Sequence, residues 1–76
     1  MQPDHIQTLR NVLEEYIRRR PNAADTVEGI MQWWLREESR SSTRSDVERA
    51  LALLCEEGTL ERTGRIYRSA HPRGRH

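Results

Sequence analysis

The stretch Ser39–Leu60, SRSSTRSDVERALALLCEEGTL, decides how this chain folds. Its first eight residues, SRSSTRSD, read alone as a flexible Ser/Arg linker or as the turn that launches a helix. The residues that follow separate the two readings. Ser45-Asp-Val-Glu48 has the form of a capping box. In such a box the serine hydroxyl accepts from the backbone N–H three residues on, and the glutamate accepts from the N–H of the cap. Thr43 with Asp46 is a weaker, earlier alternative. Val47, Ala50, Leu51 and Leu54 then recur at helical spacing as a buried face, with Cys55 at its edge. Gly58 supplies a left-handed stop after Glu57. A cap, an apolar stripe and a stop in succession predict a helix, not a linker.

Upstream, two more helices are predicted. Over residues 5–20, Ile6, Leu9, Leu13, Tyr16 and Ile17 share one face, with Asp4 available as a cap. Arg18, Arg19 and Arg20 fall in the last turn, where cations suit the helix dipole, and Pro21 ends the pattern. That triplet reads as a helix terminus more than as a binding patch. A second helix spans about 24–37, capped by Asn22 or Asp25, with Val27, Ile30, Met31, Trp34 and Leu35 as its stripe. Trp34 is placed in the core. Trp33 flanks the stripe, half-buried against the first helix or the hairpin, with an exposed partner contact as the alternative.

Downstream, Thr59–Arg68 reads as a β-hairpin. A Thr63-Gly64 turn sets Arg62 opposite Arg65, Glu61 opposite Ile66 and Leu60 opposite Tyr67. Two arginines face to face repel, so an anion between them would be favourable; the bland alternative is that both splay into water. Residues 1–70 are read as one domain, and 71–76, HPRGRH, as a disordered tail.

Composition narrows the function. A chain of 76 residues holds one small core. One cysteine excludes an internal disulfide and favours a reducing compartment. No apolar run is long enough to span a bilayer, and the chain is expected to be soluble and cytoplasmic. The net charge of +1 argues against indiscriminate nucleic-acid binding, yet residues 39–76 carry eight Arg against five acids. All 13 basic residues are arginine, either from base composition or because its planar fork suits phosphate and guanine. His5, His71 and His76 are scattered and make no metal-ligand spacing with Cys55, which reads as a small buried hydrophobe. No phosphate loop or nucleophile triad is visible, and no enzyme activity, cofactor or metal is expected.

The order helix, helix, helix, hairpin resembles a winged helix-turn-helix domain of bacterial transcriptional regulators. The residues that carry the resemblance are Val47-x-x-Ala50-Leu51-x-x-Leu54-x-x-x-Gly58-x-Leu60, then Gly64 and Tyr67, with Asp25–Ile30 resembling the preceding helix. The connection from Leu35 to Ser45 is longer than in the simplest helix-turn-helix proteins, and the wing is short. The resemblance implies a mainly α fold with a small β-hairpin, and sequence-specific binding of double-stranded DNA. The third helix would enter the major groove and the wing would rest on the backbone. Expected contacts are Ser42, Thr43, Arg44, Ser45, Glu48, Arg49 and Ala52 on and before that helix, and Arg62, Arg65 and Arg68 on the hairpin. Glu48 would be held in the capping box or read a cytosine amine. A homodimer, through the first helix, Trp33 or Leu53, is one way to gain affinity. The alternative is a winged-helix module that binds a protein partner, which the near-neutral charge and the acidic first half favour.

Overall fold

The computed structural model describes residues 4–35 and 42–70. Their order is α1 (Asp4–Arg19), β1 (Ala24–Asp25), α2 (Val27–Gly29) running on as a π-helical segment (Ile30–Leu35), α3 (Arg44–Glu56), β2 (Leu60–Thr63) and β3 (Ile66–Ser69). The fold is mainly helical with a small antiparallel sheet of three strands, ordered β1-β3-β2. Among the described residues no helix is long and apolar enough to cross a membrane. The tail expected at 71–76 lies outside the described residues.

The predicted apolar stripes meet in one core. α1 contributes Leu9, Leu13 and Ile17; α2 and the π-helical segment contribute Val27, Ile30, Trp34 and Leu35; α3 contributes Val47, Ala50, Leu51 and Leu54. Leu60 of β2 closes the cluster, and Ile6, Tyr16, Met31, Cys55 and Tyr67 border it half-buried. Fully burying one such leucine is worth about 1.5–3 kcal/mol, so this seam supplies most of the drive to fold. Trp34 is buried and stacks on Tyr16, with ring centroids 4.7 Å apart and planes 12° from parallel. Trp33 is not half-buried as expected. It is the exposed large hydrophobic of the described residues, at 58%.

The cap of α3 lies two residues before the expected Ser45, at the earlier alternative Thr43. Thr43, at φ −90° and ψ 164°, is the N-cap, and its hydroxyl accepts from the Asp46 N–H at 3.1 Å. The Asp46 carboxylate accepts in return from the Thr43 N–H at 3.2 Å. The capping box is therefore Thr43–Asp46, and Ser45 and Glu48 already lie inside the helix. The earlier start adds the bond from the Val47 N–H to the Thr43 carbonyl, 3.1 Å, and sets the Asp46 charge in the first turn, where the helix dipole favours it. At the other end the Thr59 N–H reaches the Leu54 carbonyl and the Gly58 N–H that of Cys55. This pair of bonds is the Schellman arrangement, and it needs the positive φ of Gly58, 84°.

The second helix departs further from expectation. Ala24 and Asp25, read as its first residues, form β1 and pair with Arg68 and Tyr67 of β3. The cap is Thr26, not Asn22 or Asp25, and its side chain accepts from the Gly29 N–H. The Asp25 carboxylate instead accepts from the Thr26 N–H at 2.9 Å. Strand pairing and the Thr26 cap together hold the backbone extended up to Val27.

The hairpin turns one residue later than expected, with Thr63 opposite Ile66 and Gly64-Arg65 as the loop. Gly64 has φ 63°, which a primed hairpin turn demands at its first central position. A Thr63-Gly64 loop would place β-branched Thr63 there at a steric cost. The shift pairs Leu60 with Ser69, Glu61 with Arg68 and Arg62 with Tyr67, so Arg62 does not face Arg65 and the anion-bridged pair falls away.

The cap assignment gives a direct check. Thr43→Ala should destabilise the chain by about 1 kcal/mol, whereas Ser45→Ala should change stability by less than about 0.5 kcal/mol. Urea unfolding of the two variants decides it, and the opposite order would restore the Ser45 box.

Candidate functional site

The fold brings three segments around one groove of about 370 Å³. Thr26, Val27 and Glu28 open α2 on one side; Arg44 and Glu48 come from the first turns of α3; Arg62, Gly64, Arg65 and Tyr67 come from the hairpin. β1 positions the hairpin here, because its pairing with β3 ties Asp25, one residue before the α2 cap, to Tyr67. The groove is mostly polar at the helix starts and basic at the hairpin tip.

Arg44 lines the groove and is not a free cation. Its Nε donates to Glu48 at 3.1 Å, a pair four residues apart on one helix, and its Nη1 donates to Glu28. Both carboxylates raise the Arg44 pKa, Glu48 first. Glu28 is held below the usual carboxylate range by its own backbone N–H and then by Arg44. Arg44, an expected DNA contact, is thus matched by two carboxylates, which counts against a continuous basic stripe from Arg44 to Arg65.

The other predicted contacts are spread more widely. Ser45, Arg49 and Ala52 are exposed on the outer face of α3. Arg49, Arg62 and Arg65 make no ion pair among the described residues, though Arg62 donates to the Gly64 carbonyl at 3.1 Å. Arg68 lies on the opposite face of the sheet, paired with Glu61 at 3.3 Å. Thr43 is occupied as the cap. Ser42 is half-buried, with its hydroxyl 3.0 Å from His5 Nε2.

That last contact was illegible in the sequence, because 37 residues separate its partners. Asp46 approaches the same ring nitrogen at 3.6 Å. A relay for nucleophilic attack needs the carboxylate on one imidazole nitrogen and the hydroxyl on the other. Here both fall on Nε2, so the cluster ties the start of α1 to the start of α3 without forming such a relay. Cys55 is half-buried, and burial pushes its thiol up, with the Arg62 charge opposing, which suppresses the nucleophilic thiolate. No group of three or more potential metal ligands occurs among the described residues. Glu28 and Tyr67 are further groove residues that no local pattern announced.

On α1, Arg10, Arg19 and Arg20 each have a partner within the fold. Arg19 pairs with Glu15 at 3.0 Å, and the Arg20 guanidinium lies 4.9 Å from the Tyr16 ring centroid. Arg10, with a side chain only 15% exposed, forks onto both oxygens of Glu57 and also reaches Glu14 at 2.9 Å, clamping α1 to the end of α3. Comparison of the chain with protein-family models, curated proteins and solved structures finds no match.

Arg10 holds Glu57 below the usual carboxylate range. A lowered folded pKa means that the pair contributes fully above the unfolded value of about 4.3 and is lost as pH falls through the folded one. Arg10→Met should therefore lower the melting temperature near neutral pH, and the gap to the parent should narrow as pH drops toward about 3. A gap independent of pH would show that only packing was lost.

Proposed function

We propose that the chain is a winged helix-turn-helix domain that binds double-stranded DNA sequence-specifically, as a small transcriptional regulator. The observation that carries this reading is the groove itself. The first turns of α3 and the tip of the hairpin border one surface lined by Arg62 and Arg65, and Arg49 is exposed on the same helix; none of these three arginines makes an ion pair among the described residues. α3 has 13 residues, about 20 Å of helix, and its diameter suits a major groove about 12 Å wide. Ser45, Glu48, Arg49 and Ala52 then face base edges, while Arg62 and Arg65 reach the flanking phosphates. Arg44 is discounted as a phosphate ligand as long as Glu28 and Glu48 hold it.

One observation favours a second reading, a module that binds a protein partner. Trp33 presents a large apolar side chain to solvent, and such residues are enriched at interfaces. Under that reading Trp33→Ala abolishes partner capture, and Arg49→Ala and Arg65→Ala leave it intact.

Duplex binding separates the readings by its salt dependence. With two arginines on phosphate, log K should fall against log salt with a slope of about −2, and Arg65→Ala should flatten it by about 1. Glu28→Gln releases one hold on Arg44 and should steepen the slope and raise affinity at low salt. Fluorescence anisotropy on a selected duplex measures all three. Absence of duplex binding at low salt would remove the DNA reading.

A further inference from the structure

We infer that Glu48 is a base-reading residue that selects a cytosine in the major groove, with Arg44 as the residue that positions it; this rests on the DNA-binding reading above. A carboxylate on the outer face of a helix meant for DNA is costly, since every nearby phosphate repels it. In a capping box it would have had a structural use. That role belongs to Asp46 instead, which leaves Glu48 without a cap to satisfy.

Its geometry suits a reader. Glu48 lies in the first half of α3, the part of a recognition helix that approaches base edges, and its side chain is 48% exposed. Arg44 Nε holds Oε2 at 3.1 Å, while Oε1 has no partner among the described residues. Arg44 is itself anchored on Glu28 across the groove, so the carboxylate is held from two elements and not by its own torsions alone. A tethered carboxylate with one unoccupied, acceptor-only oxygen matches one kind of base edge. Cytosine presents the N4 amine as its only major-groove hydrogen-bonding group, and acidic side chains accept from it. Thymine and guanine present acceptors, which repel a carboxylate. Adenine has an amine, but its N7 acceptor lies beside it.

The same residue therefore weakens binding to unrelated duplexes and strengthens it at one base pair, and a phosphate-binding residue would not split its effects in this way. The test is a random-duplex selection with the full chain, followed by anisotropy titrations, using the parent, Glu48→Ala and Glu48→Gln. Each variant is first checked for helical circular dichroism and melting. The parent should select a site with one invariant C whose replacement by T lowers affinity roughly 5- to 150-fold. Glu48→Ala should lose that preference and bind non-cognate duplex more tightly than the parent. Glu48→Gln should move the preference toward A, whose N6 and N7 suit an amide. Retention of the C preference by either variant overturns the inference, as does a parent that binds duplex without preferring C at any position. A parent that binds no duplex overturns the DNA reading itself, and the two failures are told apart by the parent alone.

Discussion

The rest of the structure depends on the apolar seam between α1 and α3. Leu9 and Leu13 on one side and Val47, Ala50, Leu51 and Leu54 on the other have no solvent exposure. Fixing that face of α3 fixes its rotation, and the rotation decides which side chains are left to the outside. Ser45, Glu48, Arg49 and Ala52 face solvent because Val47 and Leu51 cannot. The Schellman stop at Gly58 then returns the chain so that Leu60 caps the same seam, and the hairpin is delivered beside the start of α3.

Electrostatics on this frame is local, and the net charge of +1 describes it poorly. Arg10, Arg19, Arg44 and Arg68 are each matched by a carboxylate. Three of these matches join separate elements: Arg10 ties α1 to the end of α3, Arg44 ties α3 to the start of α2, and Arg68 ties β3 to β2. Such pairs are weak where exposed, and the Arg44 cluster is half open to water, so its value lies in orientation more than in stability. Arg62 and Arg65 at the hairpin tip make no ion pair among the described residues, and they give the groove its basic side.

The core was legible in the sequence because burial leaves a period. Every stripe residue placed inside from spacing is buried or borders the core, and the glycine stop of α3 falls where a left-handed residue is required. What escaped depends on comparisons that a period does not encode. Thr43 and Ser45 both precede plausible partners, and the choice between them turns on where helical backbone can begin. The hairpin register turned on which of two adjacent residues takes positive φ, and only Gly64 does so without strain. β1 is two residues long and carries no pattern of its own. The site was legible only in part: α3's outer face follows from its inner one, but the Glu28–Arg44 and His5–Ser42 contacts join distant positions.

The central claim is that the outer face of α3 and the hairpin tip act as one nucleic-acid surface. Amide chemical-shift mapping of the isotopically labelled chain with duplex DNA at low salt tests it most directly. Shifts are expected at Ser45, Glu48, Arg49, Ala52, Arg62 and Arg65, with little change along the side of α1 that carries Gln7 and Asn11. Shifts centred on Trp33, Val12 and Tyr16, or no shifts at all, would contradict it.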